Sequence, residues 1–489
     1  MCACVRAHNK QTLSSQHTKM GLKSGPGGAK NVIIERFAKA VKEVDSFADV
    51  LPKNDDDESL VCIDGNVLIK SAPQTVATTD EYINYLRSQI ASKLKASKHV
   101  LVVLDNPAAT TLAKTQEQEK RDAKKAVPVP ISSDLATSPE TDEYEVSSLP
   151  NHVIARDLIM TRGAAPRMFD FLLFTVFQQL LKSLDTTSQT LTFDGVDPRM
   201  DRPPEEPRRP KVISSHEDLL YETDLGEGDL KLSFAVDLVL SRRGNSGPWG
   251  RVTTVVQLTI DTDALVIEAL QVARRACTGE ADVNVLLALS ERSTSKKRLV
   301  DGNPVANSSW FTLIDMNMLT SQIGTFLNPL PQAMPSSQTT RRCVSLFGMA
   351  AALCGCDFVD APHGVRFDTV LEVLKKTVYE QPGLLACVDG VHSVDDNELL
   401  RASVATRTIV KEVAKRMEKT PRSRRWASGL LTAEDTLDMK VLWTVSYWSF
   451  QERKRVQDWG FEQNSIVTSS DMQGSHFSRS RPAILRACP

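Results

Sequence analysis

From Val255 to Leu270 the chain reads VVQLTIDTDALVIEAL, an apolar run that stops at two aspartates, Asp261 and Asp263, and then resumes. Val255, Leu258 and Ile260 suit a strand buried on both faces, and a sheet of parallel strands places its ligands beyond their carboxyl ends. An Asp-x-Asp at such an end can hold a hard cation, or it can simply turn the chain and cap a helix. Four other segments follow the same pattern, each after an apolar strand or at the opening of a helix. SLVCIDGN delivers Asp64, HVLVVLDNP delivers Asp105, GEGDLKLSFAVDLVL opens with Glu227 and Asp229, and LFGMAAALCGCDF closes with Asp357.

Gathered at one sheet edge, these acids would repel one another. Two charges about 6 Å apart at an effective dielectric near 20 cost roughly 3 kcal/mol. A few such pairs rival a folding stability of about 5–15 kcal/mol. Cations or raised carboxyl pKa values must accompany the cluster, and an all-oxygen donor set favours Mg²⁺ or Mn²⁺.

The ordered set Asp64, Asp105, Glu227-Gly228-Asp229, Asp261-Thr262-Asp263 and Gly355-Cys356-Asp357 resembles the 5′ nucleases of the flap-endonuclease, XPG and 5′-to-3′ exoribonuclease superfamily. GEGDLKL is similar to the exoribonuclease helix start, and GCDFVDAPHGVRFDTVLEVL to the flap-endonuclease segment that leads into a helix-hairpin turn. The resemblance spans residues 20-125 and 165-380. It implies an α/β, PIN-like (FEN-type) core with a parallel central sheet flanked by helices, followed by a helical C-terminal region. It also implies two Mg²⁺ or Mn²⁺ ions held by Asp64, Asp105, Glu227, Asp229, Asp261, Asp263 and Asp357. Met20-Gly21 resembles the superfamily's Met-Gly start, which would make the first nineteen residues an extension or Met20 the true start.

Composition sets outer bounds. The 489 residues are 41% hydrophobic and 25% charged with a formal net charge of -2, so nucleic acid would have to be met by local basic patches. Nine cysteines show no C-x-x-C pair and no histidine at zinc spacing, which fits a reducing, intracellular setting, nuclear or cytoplasmic. Cys354 and Cys356 read as buried free thiols. The longest apolar stretch, MFDFLLFTVFQQLL, is broken by Asp170, Gln178 and Gln179, so it reads as a buried amphipathic helix and no membrane partner is expected.

Taken in order, residues 1-30 read as a disordered extension, 31-125 as the first part of the core, and 126-165 as a flexible insertion. Residues 166-380 read as the rest of the core, 381-463 as a helical region and 464-489 as a disordered tail. Helical spacing is expected across Asn31 to Val50. Strands are expected at Leu60 to Ile63, His99 to Leu104 and Thr190 to Phe193, with helices at Glu81 to Leu94 and 168-184. Between Thr278 and Thr340, VNVLLALS reads as a strand, NSSWFTLIDMNML as a strand or helix start, and the remainder as loop. LTFDGVDPR makes Asp194 a rival to Asp105; spacing from Asp64 favours Asp105 and leaves Asp194 as a turn residue.

The basic candidates follow the acids. Lys114, Arg121 and Lys125 share one helical face after Asp105, where the resemblance implies a phosphate-gripping helix with Lys114 and Arg121 in catalytic roles. Arg242 and Arg243, with Arg251 of the same loop, are plausible phosphate contacts. Arg366 stands where a hairpin turn would carry its second glycine. Lys415, Arg422, Arg424 and Arg425 belong to the basic run KEVAKRMEKTPRSRRW, a solvated helix or an electrostatic path for nucleic acid. The expected function is two-metal hydrolysis of phosphodiester bonds in flap DNA or single-stranded RNA. The alternative is a decayed nuclease fold that binds nucleic acid or acts as a scaffold without cutting it. Protein partners are not indicated by any residue.

Overall fold

The structure is a computed structural model. It describes residues 29–44, 46–51, 58–73, 75–105, 168–196, 210–221, 225, 228–280, 283–292, 298–300, 303–305, 309–330, 333–354, 366–388, 396–419 and 424–432. Among these, no helix is long and apolar enough to cross a membrane.

An eight-stranded sheet runs through the middle in the order β1-β10-β7-β6-β2-β3-β4-β5. Its five central strands are parallel: β7 (Asn284–Arg292), β6 (Val252–Thr259), β2 (Glu58–Asp64), β3 (Lys98–Val103) and β4 (Thr190–Val196). The edges are antiparallel, with β10 (Ser309–Asp315) on β7, β1 (Val41–Val44) on β10, and β5 (Pro210–Ser214) on β4. The expected α/β architecture is therefore present with a mostly parallel centre. A separate two-stranded hairpin pairs β8 (Arg298–Val300) with β9 (Asn303–Val305).

The parallel strands bury side chains on both sides because helices cover both faces. On one face Val61, Ile63, Val100 and Val102 pack with α3 (Thr79–Ser97) and α4 (Met168–Ser183). On the other, Leu60, Cys62, Leu101, Val103 and Val255 pack with α5 (Gly228–Arg242), α6 (Thr262–Thr278), α7 (Met316–Leu327) and α8 (Ser337–Cys354). Outside these lie α9 (Phe367–Glu380), α11 (Asp396–Glu418) and α12 (Arg424–Thr432). Three short helices complete the count among the described residues: α1 (Ala29–Arg36), α2 (Gly65–Lys70) and α10 (Leu384–Cys387). Each fully buried Val, Leu or Ile contributes about 1.5–3 kcal/mol relative to exposure, so the two-sided burial of the central strands anchors the fold.

Local chemistry sets the helix ends. Thr78 caps α3 by accepting from the Glu81 amide at 3.3 Å, while the Glu81 carboxylate accepts from the Thr78 amide at 3.0 Å, a reciprocal capping box. At the end of α6 the chain needs a left-handed residue, and Gly279 supplies it at φ 80°.

Several expectations need correction. Helical spacing across Asn31 to Val50 survives only to Arg36; the chain then forms a 3-10 turn and β1, whose pairing with β10 overrides local periodicity. The segment before Thr340 is not mostly loop, since α7, the β8-β9 hairpin and the start of α8 occupy it. The apolar run ahead of Asp357 is the second half of helix α8 rather than a strand, buried from Cys343 to Cys354 except at Ala351. Asp194 is not a turn residue: it lies within β4, paired with Val103 on one side and Val212 on the other. Cys354 is buried, as expected.

Candidate active site at the carboxyl ends of the central strands

The chain leaves β2 for β3 on one side and leaves β6 for β7 on the other, although β2 and β6 are neighbours. Connections that diverge from adjacent parallel strands open a crevice beyond their carboxyl ends. Register places acids around it. Asp64 pairs with Val103, and Ile63 pairs with Leu258, so Asp64 stands level with Thr259 on the other neighbour. Asp105 and Asp261 both follow that level by two residues, on strands about 4.8 Å either side of β2.

Asp64 and Asp105 also continue the side-chain parity of Leu60, Cys62, Leu101 and Val103, the face that α5 covers. The Gly228 amide at the start of α5 donates to Asp105 Oδ1 at 2.8 Å. A Cβ at Gly228 would lie 3.2 Å from that oxygen and 3.8 Å from Asp64 Oδ1, so one backbone position faces both carboxylates. Asp64 is buried and accepts from the Asn66 amide at 2.9 Å. Gly65 beside it is needed for space, because a Cβ there would meet Leu104 at 2.2 Å. Asp229, half-buried, occupies the first turn of α5. A helix N-terminus so placed favours negative charge at Asp105 and Asp229.

On the β6 side Asp261 is exposed and is the N-cap of α6, accepting from the Asp263 amide at 3.3 Å. Asp263 is half-buried in the first turn. Thus Asp64, Asp105, Asp229, Asp261 and Asp263 all lie at the same edge of the sheet. Glu227, Asp357, Lys114, Arg121, Lys125 and Arg422 lie outside the described residues, as does the Arg425 side chain. Among the described residues, the acids at this edge offer carboxylate oxygens, the chemistry that suits Mg²⁺ or Mn²⁺ rather than a softer ion. Among the described residues, no three acids, histidines or cysteines form a group that could hold an ion.

The basic candidates among the described residues are elsewhere. Arg242 ends α5 and Arg243 follows it, roughly 22 Å along a 15-residue helix from Gly228. There Arg242 donates to the carbonyls of Asp218 and Leu238 and sits over the Trp249 ring. Arg366 is exposed before α9 and pairs with Asp368 at 3.2 Å. Lys415 pairs with Glu412, and Arg424 donates to the Glu418 carbonyl on the outer helices.

Two features are not legible in the sequence. Lys231 and Asp194 form an ion pair at 2.6 Å with both side chains fully buried, and the Tyr221 hydroxyl donates to the other Asp194 oxygen at 2.8 Å. Burial and the Asp194 charge push the Tyr221 phenol well above its ordinary value. The only signal was a lysine inside the apolar stretch LKLSFAV, which ordinarily reads as a surface position. At the opposite end of the sheet, Trp249 donates to Thr190 Oγ1 at 3.0 Å, Thr190 meets His99 Nδ1 at 3.1 Å, and His99 Nε2 meets Glu58 at 3.3 Å. Thr190 and His99 are buried, so this chain of polar groups locks strands together and is closed to substrate. A pocket of about 260 Å³ between α5, α6, α7 and the start of α8, lined by Val236, Val272, Val283 and Arg275, is likewise remote from the acids.

No protein-family model matches the sequence, and no curated protein matches it.

Proposed function

We propose that the chain is a metal-dependent 5′ nuclease of PIN-like type that hydrolyses phosphodiester bonds in DNA or RNA. The observation that supports it is the convergence of Asp64, Asp105 and the start of α5 at the carboxyl edge, with Asp261 and Asp263 across the crevice. Asp64, Asp105, Asp229, Asp261 and Asp263, with Glu227 and Asp357, would hold Mg²⁺ or Mn²⁺. Such ions supply a water ionised near neutral pH and neutralise charge on the phosphoryl oxygens. The protein's own part is to aim the carboxylates: the Gly228 amide and the α5 terminus hold Asp105, and the Asn66 amide holds Asp64. Lys114 and Arg121 would neutralise the phosphate.

A second reading, nucleic-acid binding or scaffolding without cleavage, draws on one observation. Asp261 already has a structural task as the cap of α6. Cleavage assays offering 5′-labelled flap DNA and single-stranded RNA side by side, with Mg²⁺ or Mn²⁺, separate the two readings and name the substrate. Product with either nucleic acid supports the enzyme; binding of both without product supports the alternative.

A further inference from the structure

Asp194 grips two elements at once. Its backbone carbonyl accepts from the Leu104 amide at 2.8 Å, fixing the residue that precedes Asp105. Its side chain accepts from Lys231 at 2.6 Å, and Lys231 is three residues beyond Gly228, on the same side of α5. Tyr221 fixes the second carboxylate oxygen, so the Asp194 side chain has no freedom to follow α5 if the helix shifts. The Gly228 amide in turn meets Asp105. A closed loop of contacts therefore runs Asp105, Leu104, Asp194, Lys231, Gly228 and back to Asp105.

A buried ion pair seldom adds net stability over an apolar pair of similar size, because desolvating two charges costs about what their attraction returns. Its geometry, however, is directional, and here it spans the two segments that carry site acids. We propose that Asp194 and Lys231 are positioning residues of the candidate site: they hold the first turn of α5 against Asp105, where the acids of the two segments would meet an ion. The inference rests on the nuclease reading of that site.

The test uses the full chain and reads Mn²⁺ affinity by electron paramagnetic resonance beside metal-free melting. Compared are wild type, Asp105→Asn, Asp194→Asn, Lys231→Met and the double variant Asp194→Asn with Lys231→Met. Each single variant leaves a buried group uncompensated and melts lower. The double variant removes both charges and regains most of the melting temperature, yet binds Mn²⁺ about 10- to 100-fold more weakly, as loss of an orienting partner does. Wild-type affinity in the double variant overturns the positioning role and leaves the nuclease reading standing. Absence of Mn²⁺ binding in wild type, or binding unaffected by Asp105→Asn, overturns both. Should the double variant not fold, Tyr221→Phe carries the test: weaker Mn²⁺ binding at unchanged melting supports the inference, and wild-type binding contradicts it.

Discussion

The Gly228 amide donates to Asp105 Oδ1 at 2.8 Å, a contact between residues 123 positions apart. It ties the end of β3 to the start of α5 and so joins two segments that the sequence keeps separate.

The first prediction concerns that glycine. A Cβ at residue 228 would lie 3.2 Å from Asp105 Oδ1, closer than is comfortable, so the carboxylate must move by a few tenths of an ångström. Gly228→Ala is expected to change stability by no more than about 1 kcal/mol, since alanine suits a helix. Cleavage should fall by about tenfold or more, because small misplacements at a reacting centre are costly. Turnover and melting measured together check this; unchanged turnover would show that Asp105 tolerates displacement.

A second prediction addresses the support beneath the crevice. Glu268 is fully buried and accepts from Arg275 at 2.7 Å and from Gln257 at 2.8 Å, while Arg275 also pairs with Asp237 at 2.8 Å. Removing one member leaves the others buried without their partner, at a cost of about 3–5 kcal/mol. Glu268→Ala should therefore lower the urea midpoint markedly. A loss below about 1 kcal/mol, the range of an exposed pair, would contradict the role assigned to this network.

The third prediction is a pH dependence. Burial holds the His99 imidazole below its ordinary value, outweighing the opposing pull of Glu58. The unfolded chain then takes up a proton before the folded one does. This contribution to stability is complete above the unfolded value, about 6.5, and is lost as pH falls through the lower folded value. Melting temperature should decline over that window in wild type, and the decline should be shallower in His99→Gln. Parallel profiles for the two proteins would mean that His99 does not titrate in this range.

The readable and unreadable parts of the sequence divide on physical grounds. β2, β3 and β6 are legible because each carries a run of buried apolar residues that an aspartate closes, Asp64 at the end of β2 and Asp105 and Asp261 two residues beyond β3 and β6. β1 is not, since its four residues are mostly half-buried or exposed and owe their conformation to β10. Asp194-Gly195 looks like a turn, but pairing with β5 carries the strand through to Val196. Lys231 was invisible because a lysine seldom lies fully buried, and only its partner Asp194, 37 residues away, makes the position intelligible. Arg242 ends the helix that carries Asp229 and Arg243 follows it, so the length of α5 takes both arginines away from the acids.

The central claim is that the carboxylates at the sheet edge form a metal-dependent nuclease site. Its most direct measurement is cleavage of labelled flap DNA and single-stranded RNA by wild type and Asp105→Ala, each with Mg²⁺ and with EDTA, with melting recorded to establish that the variant folds. The expected result is cleavage by wild type in Mg²⁺, none in EDTA, and none by a folded Asp105→Ala protein. Full cleavage in EDTA, or wild-type turnover by Asp105→Ala, would contradict it.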